Sequence, residues 1–514
     1  MKKISFRRKT LLVAALLATA SIGVGVAGTV AFFQSSHSFD VTVNAAKVDV
    51  VQNHPTIESS TLQYIADGAL VTVDQTTGSV TANLLVPGDT FLIKSTYTND
   101  STIGVKYRIK VTATTGLKTE VFTDANCTTA ATDGNYTDLA AKAPIADHYI
   151  KVTVTDDFEN GGIGKVTVGV NAVQNNVNPV AVSTATDFTT ELADTTKDTL
   201  FVDSTMELPT NVSSDYESFA RTLITHDVTI DLQGNKLTDN NVFTVQAGKT
   251  LTLKNGTFDS YALYADDGSN IVLDNIEFSS NPKGQNAITA SGSVNVTIKN
   301  STVHGALSAI KTEGTEGNLT SSKITITNST LEATDTNNHS SVGLAISNGN
   351  DVSITDSTIK FENVGISNRG GSVTLTNVTL EKTGDYNGFS DDTTSGATEV
   401  NQGNFGYFEN VPECFLFVGS DNISNNEDVT DAVLNMNGKI TFQVDDGVKY
   451  HDNLIVSAND VQNVVVNTNG AYKGDVKVYD FREQDTKKLT INNKDIAKGT
   501  YGHAGTATDK YTIA

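Results

Sequence analysis

Few side chains in this 514-residue sequence combine the types and spacing that acid–base chemistry needs. Enzymes that hydrolyse polysaccharides place two carboxylates on either side of the scissile bond, as acid and base. The weak candidates for such a role are Asp266, Asp267, His304 and Lys311. The two aspartates immediately precede Gly268, however, and this order of residues is common in turns. We therefore expect turn chemistry at these positions, no catalytic residue, and a protein that is not an enzyme.

Motifs for metal or cofactor chemistry are absent from the sequence. The 8 histidines are dispersed, and none belongs to the His-Glu-x-x-His pattern of a zinc protease. No Gly-x-Ser-x-Gly elbow and no glycine-rich phosphate loop is present. Cys127 and Cys414 are far apart in the sequence, which favours two thiols over a disulfide-stabilised scaffold. The sequence thus predicts neither a metal site nor a cofactor.

The net charge excludes two classes of partner. Lys and Arg together number 36 and Asp and Glu 59, so the net charge is −23. A polyanion cannot gain affinity by releasing the counterions of a nucleic acid, so we expect no DNA or RNA partner. Attraction to an anionic lipid surface is excluded for the same reason.

The N-terminus has the layout of an export signal. A basic segment at residues 2–9 precedes an uncharged, mostly apolar run over residues 10–33, with small residues near its end. Cleavage is expected between Ala31 and Phe32, so residues 1–31 are predicted to be a signal peptide. No second apolar run is long enough to span a bilayer. We expect a protein that is secreted to the extracellular matrix or cell surface, without a stable membrane anchor after processing.

Residues 32–176 consist of short runs in which apolar and polar residues alternate, separated by turn sequences. This period of two predicts antiparallel strands in a β-sandwich or jelly roll. The first run contains Phe39, Val41 and Val43 on one face. It is a candidate donor strand that pairs with the next subunit. The alternative is that it forms the first strand of its own domain.

The strongest pattern is a repeat of eight-residue segments that begin at residues 251, 271, 296, 324, 352 and 373. Positions 1, 3 and 8 are apolar in every copy, and position 7 is Thr in five of the six. Repeats of strand and turn at this length are typical of a parallel β-helix, whose coils contact only their neighbours. Position 5 is expected to form a structural ladder, buried and hydrogen-bonded from coil to coil. The ladder residues are Asn255, Asn275, Asn300, Asn328, Asp356 and Asn377.

The segments around this repeat complete the predicted domain organisation. Residues 177–181 are polar and predict a linker. Thr186 as a cap, with Phe188 and Leu192 on one face, predicts a short helix that covers the end of a β-helix over residues 182–385. Residues 386–410 predict a loop or linker. Residues 411–514 form a C-terminal β region, either further coils with an end cap or a small separate domain. The fold class is therefore all-β.

Two parts of the sequence resemble known families. Residues 28–33 resemble the cleavage region of the TasA/camelysin family of exported Gram-positive proteins, and residues 39–50, 87–99 and 170–174 are similar to later parts of that family. This resemblance covers about residues 1–176 and implies a jelly-roll domain with a role in extracellular matrix fibres. The sequence departs from the family pattern at Gln34, where members of that family frequently have an acidic residue. Residues 182–385 resemble the right-handed parallel β-helix, or pectate-lyase-like, superfamily in pattern.

These features together predict an exported structural or adhesive protein of the cell surface or biofilm matrix. Its predicted partners are further copies of itself, joined head to tail through the N-terminal strand, and extracellular polysaccharide. One alternative is a glycan-binding adhesin that uses a face of the β-helix. A further alternative is a polysaccharide lyase or hydrolase, for which the sequence offers only the weak candidates named above.

Overall fold

The structure is a computed structural model, and the part described here excludes several segments. It comprises residues 48–53, 55–61, 71–74, 79–131, 136–159, 162–209, 221–280, 286–313, 321–334, 341–346, 349–384, 414–419, 430–448, 452–502 and 509–514. The chain divides into two compact units, Met1–Val177 and Asn178–Ala514. Ala31, Phe32, Phe39, Val41, Val43 and the segment 386–410 lie outside the described residues. Within those ranges, no helix is long and apolar enough to cross a membrane.

The first unit is an antiparallel β-sandwich. Its strands are β1 Val50–Gln52, β2 Thr56–Thr61, β3 Val71–Val73, β4 Ser79–Leu85, β5 Thr90–Ser95, β6 Tyr97–Asn99, β7 Val105–Ala113, β8 Leu117–Phe122, β9 Thr137–Leu139, β10 His148–Val154 and β11 Gly162–Gln174. One sheet has the strand order β2-β5-β10-β8 and the other β3-β4-β11-β7-β9, while β1 pairs with β6. Inward-facing residues of β10 and β11, such as Ile150, Val152 and Val166, form the core between the sheets. The predicted β-sandwich is confirmed.

The second unit begins with a strand and the helix α1. The strand β12, Pro179–Val182, occupies most of the segment that was expected to be a linker, and it pairs in parallel with β13, Thr199–Val202. The helix α1 spans Ala185–Ala193 and buries Phe188 and Leu192, as predicted. Its cap is Thr184 rather than Thr186. The Thr184 backbone is extended and its hydroxyl accepts a hydrogen bond from the Asp187 amide at 3.1 Å, whereas Thr186 already lies in the first turn.

All remaining strands belong to one large sheet system. They are β14 Met206–Glu207, β15 Arg221–Ile224, β16 Val228–Asp231, β17 Lys236–Val245, β18 Thr250–Ala265, β19 Asn270–Ser280, β20 Asn286–Ser291, β21 Asn295–Lys299, β22 Thr302–Gly305, β23 Ser308–Glu313, β24 Lys323–Thr327, β25 Thr330–Ala333, β26 Val342–Ile346, β27 Asn350–Thr355, β28 Thr358–Phe361, β29 Val364–Asn368, β30 Gly371–Thr376, β31 Thr379–Lys382, β32 Cys414–Gly419, β33 Ala432–Asn437, β34 Thr441–Val444, β35 Asp452–Ala458, β36 Val464–Asn467, β37 Gly474–Asp480, β38 Leu489–Ile491, β39 Lys494–Ile496 and β40 Lys510–Ile513.

These strands stack into three parallel faces around a central bore. Face 1 contains β13, β16, the first parts of β18 and β19, and then β21, β24, β27, β30, β33, β36 and β38. Face 2 contains β14, the first part of β17, the middle of β18, the end of β19, and then β22, β25, β28, β31 and β34. Face 3 contains β15, the ends of β17 and β18, and then β20, β23, β26, β29, β32, β35 and β37. The predicted parallel β-helix is confirmed.

The repeat residues occupy the bore as expected. Position 1 of successive copies pairs from coil to coil, so that Leu251 lies beside Ile271 and Ile271 beside Val296, and all three are fully buried. Phe258 at position 8 packs between Phe243 and Phe278, with ring centroids 5.2 Å apart on each side. This stacked apolar column supplies most of the stabilisation of the coils, because each coil buries its inner face only against its neighbours.

The C-terminal β region consists of further coils and an end cap. Its strands β32, β33 and β34 pair in parallel with β29, β30 and β31 of the preceding coil. The pairing becomes antiparallel only at the end, where β40 pairs with β37 and β39 with β38. These antiparallel strands cover the last coil and close the bore.

Candidate functional site

The ladder residues form the corner between face 1 and face 2. All six have positive φ, between 48° and 59°, a left-handed conformation that Asn and Asp adopt more readily than other side-chain-bearing residues. The expectation that they are buried is wrong. Asn275, Asn300 and Asn328 are exposed, because the left-handed turn directs their side chains away from the bore.

The ladder is interrupted at two places. Asn275 donates a side-chain hydrogen bond to Asn255 at 3.2 Å, Asn328 donates one to Asn300 at 2.8 Å, and Asn377 donates one to Asp356 at 3.0 Å. Within the described part of the chain, no side-chain bond joins Asn328 to Asp356, where the Asp356 carboxylate has no proton to donate, and none joins Asn275 to Asn300. At this second place, which we call the gap, one amide oxygen and one amide NH₂ group are free.

A second ladder, made of serines, lies beneath the first and was not predicted. Ser301, Ser329 and Ser357 follow the ladder residues directly and are buried. Ser301 Oγ accepts a hydrogen bond from the Ile276 amide at 3.0 Å, and Ser329 Oγ accepts one from the Ser301 amide at 3.2 Å. These bonds provide an acceptor for backbone amides that have no partner in the sheet at the corner. The repeat of Asn-Ser or Asp-Ser in three successive copies was the available signal.

We expect Ser329→Ala to destabilise the β-helix by about 1–3 kcal/mol, because it leaves the buried Ser301 amide without a partner. The measurement is the midpoint of urea unfolding. The control is Thr330→Ala, which removes the next hydroxyl along the chain, on the outer side of face 2. Equal shifts for the two variants would show that the serine ladder contributes nothing beyond the loss of a side chain.

A cavity of about 440 Å³ opens at the gap in the ladder. Its lining includes amides and hydroxyls, and Glu277 is the only charged residue among the described residues that line it. Its lining residues are Gly234, Asn255, Gly256, Thr257, Asn275, Ile276, Glu277, Asn300 and Thr302. Gly256 is required here, since a Cβ atom at this position would lie 2.5 Å from Leu232 Cβ. The cavity therefore presents neutral hydrogen-bonding groups around one carboxylate.

Glu277 occupies an unusual place in the repeat. It stands at position 7, where the other five copies have Thr, and it lies between Thr257 and Thr302 in the outer column of face 2. It is exposed, and its carboxylate accepts a long hydrogen bond of 3.4 Å from the Thr257 hydroxyl. Glu277 is not among the residues predicted from the sequence, although its departure from the Thr of the repeat is the signal that could identify it.

Asp259 supplies a second carboxylate on the neighbouring coil. It faces outward from β18, and its carboxylate forms an ion pair with Lys236. Asp259 pairs in register with Ser279, two residues beyond Glu277. A strand separation of about 4.8 Å and a rise of about 3.3 Å per residue place the two positions about 8 Å apart. The cavity thus has one carboxylate in its lining and another nearby on the same face.

The four candidates from the sequence do not come together. Asp267 lies at the corner that follows face 3 and accepts a hydrogen bond of 2.7 Å from the Ser293 amide. Asp266 precedes Asp267 in the same turn. His304 lies on face 2 and bonds to Thr334 at 2.7 Å. Lys311 lies on face 3 and forms an ion pair of 2.8 Å with Glu313. None of these side chains lines the cavity.

The cations near the cavity are already paired with carboxylates. On face 1, Lys254 lies 3.4 Å from Asp231, and Lys299 lies 2.9 Å from Asp274. Within the described ranges, no three His, Cys, Asp or Glu side chains converge in a way that could hold a metal ion. The described site thus contains the Glu277 carboxylate among neutral polar groups and, nearby on the same face, the Asp259 carboxylate paired with Lys236.

Comparison with solved structures matches several catalytic domains. The catalytic domain of a GH87 α-1,3-glucanase in complex with nigerose is 11% identical, with a TM-score of 0.31, over 87% of this chain and 96% of that chain. The Agl-KA catalytic domain is 12% identical, with a TM-score of 0.33, over 88% of each chain. No family model and no curated relative matches the sequence. At these TM-scores the likeness assigns no activity and no residue to this chain.

The prediction of a non-enzymatic structural or adhesive protein is corrected here. The solved chains that match include catalytic domains of a GH87 α-1,3-glucanase and no fibre or adhesion protein among those compared. Motifs in the sequence could not indicate the carboxylates of this face, because Glu277 and Asp259 belong to different coils and are related only by the register of the β-helix.

Proposed function

We propose that this protein is a glycoside hydrolase that cleaves a glycosidic bond in the cavity at the ladder gap. The observation that carries the proposal is the position of Glu277 in the cavity lining, with the Asp259 carboxylate on the adjacent coil. Glycosidases need two carboxyl groups that flank the scissile bond. The surrounding amides and hydroxyls offer the donors and acceptors that sugar hydroxyl groups require.

The two carboxyl groups suit different roles. Glu277 has no cationic partner among the described residues, and we assign it the role of the acid that protonates the leaving oxygen. Asp259 forms an ion pair with the Lys236 ammonium group, and we assign it the role of the base that takes a proton from the attacking water. In that step the C–O bond of the leaving group breaks as water forms a new bond to the anomeric carbon.

The separation of the two groups bears on the stereochemistry of the product. Inverting glycosidases hold their carboxyl groups about 6.5–9.5 Å apart to leave room for water, whereas retaining enzymes hold them about 5–5.5 Å apart. Strand geometry places the backbone positions of Asp259 and Glu277 about 8 Å apart. The Asp259 side chain reaches toward Lys236 on the coil that lies away from Glu277, so the two carboxyl groups are not drawn together. We therefore expect hydrolysis with inversion of the anomeric configuration.

The test is to incubate the purified chain with a panel of neutral, acidic and amino polysaccharides and to measure new reducing ends. Proton NMR during the first minutes then reports the anomer that forms before mutarotation. Inversion at the new reducing end supports the assignment of both carboxylates. Release of the retained anomer would contradict the roles given to Asp259 and Glu277, and absence of new reducing ends from every polymer would contradict the hydrolase itself.

We further propose that the protein works outside the cell on extracellular polysaccharide. The basic and apolar segments of residues 2–33 support export. The resemblance of residues 1–176 to the TasA/camelysin family supports the same location. Western blots of culture medium and cell fractions test this proposal. Retention of the full-length chain inside the cell would contradict it.

A further inference from the structure

We infer that the glycan bound at the cavity is uncharged and that Asn275 and Asn300 select it through the gap in the ladder. The inference rests on the proposed function and specifies the substrate class of the same site. It follows from two independent features, the free hydrogen-bonding groups at the gap and the charges around the cavity.

The gap presents one acceptor and one donor side by side. Asn275 uses its amide NH₂ group to donate to Asn255, so its Oδ1 atom remains free to accept. Asn300 uses its Oδ1 atom to accept from Asn328, so its NH₂ group remains free to donate. Both side chains line the cavity and are exposed. An adjacent donor and acceptor match two neighbouring sugar hydroxyl groups, each of which can donate and accept.

The charges around the cavity disfavour an acidic glycan. Among the described residues that line the cavity there is no Lys, Arg or His. The nearby lysines Lys236, Lys254 and Lys299 already pair with aspartates. The carboxylate of a uronic acid would therefore enter the cavity without an unpaired cation to receive it, which is unfavourable. The chain as a whole carries −23, so long-range attraction does not compensate.

The sharpest test replaces the donor at the gap while keeping the rest of the ladder intact. Asn300→Asp retains an oxygen that accepts from Asn328, and Asp tolerates the left-handed backbone. The control is Asn437→Asp, since the Asn437 side chain likewise accepts from Asn469, at 2.9 Å, but lies outside the cavity and, unlike Asn300, does not have a left-handed backbone. Unchanged melting temperatures of both variants would show that the fold is intact.

For Asn300→Asp we expect kcat/KM on a neutral glycan to fall by at least about tenfold, because a binding donor is lost and a charge is added. Asn437→Asp should stay within about twofold of the wild type. The inference fails if the two variants behave alike, or if polygalacturonate or chitosan is the better substrate.

Affinity electrophoresis of the full chain in gels that contain a neutral glucan, mannan or xylan separates this inference from the proposed function. Retardation that Asn300→Asp abolishes, without any cleavage, would support the subsite and contradict the hydrolase. Cleavage that is indifferent to Asn300→Asp would support the hydrolase and contradict the subsite. Absence of both binding and cleavage with every neutral polymer would overturn both.

Discussion

Replacing Glu277 with Gln is expected to lower the rate of polysaccharide hydrolysis by at least about 100-fold, because a general acid contributes about 10²–10⁴ to such reactions. The amide keeps the size of the side chain and can still accept from the Thr257 hydroxyl. It cannot transfer a proton to the leaving oxygen. Since the change conserves shape and Glu277 is exposed, the binding of substrate and the melting temperature should change little. The measurement is kcat from reducing-end release.

The chain offers a matched control for this variant. Glu332 also faces outward from face 2, lies two coils further along, and makes no ion pair within the described part of the chain. It lies outside the cavity lining. Glu332→Gln should therefore leave kcat within about twofold of the wild type. Equal activities of the Glu277→Gln and Glu332→Gln proteins would remove Glu277 from the mechanism.

The largest effect on stability is expected at the C-terminal end cap. Asp480 and Arg482 form a buried two-point ion pair, with Nε–Oδ1 and Nη2–Oδ2 distances of 2.8 Å. Arg482 also donates to the Ile496 carbonyl oxygen at 3.2 Å, which joins β37 to β39. Asp480→Asn leaves a buried guanidinium group without its counter-charge. This change should cost about 3–5 kcal/mol, as seen when one partner of a buried pair is removed.

Thermal or urea unfolding of the wild type and Asp480→Asn measures this cost. The control is Asp495→Asn, which breaks the exposed pair with Lys488 at 3.1 Å in the same end cap. Exposed pairs contribute little, so this variant should unfold like the wild type. A loss of stability in Asp495→Asn as large as that in Asp480→Asn would show that the burial of the pair is not what matters.

The buried pair also predicts how the stability depends on pH. Burial alone would raise the pKa of Asp480, but the hydrogen bonds and charge of Arg482 outweigh it and lower the pKa below its usual value. Such a carboxylate stabilises the folded state above its unfolded pKa of about 3.9 and stops doing so as the pH falls through the folded value. The difference in stability between wild type and Asp480→Asn should therefore narrow below about pH 4. A constant difference down to acid unfolding would contradict this assignment.

Local patterns in the sequence determined the architecture of this protein. The apolar residues at positions 1, 3 and 8 of the repeat predict the bore, because a strand alternates its side chains between two sides. Asn at position 5 predicts a corner, since its side chain tolerates positive φ. Phe188 and Leu192 predict a buried helix face. Each of these inferences concerns residues a few positions apart, where backbone geometry alone fixes the relation.

Only the tertiary structure decided which residues of different coils meet. The register between β18 and β19 places Asp259 near Glu277, and the direction of the corner exposes the ladder instead of burying it. The sequence of a single repeat likewise does not reveal the gap between Asn275 and Asn300. It also does not reveal the buried contact of Arg482 with β39. The physical reason is that variable loops separate successive coils. The number of positions that separate two residues in the sequence therefore does not determine the distance between them in space. That distance depends on how the coils stack.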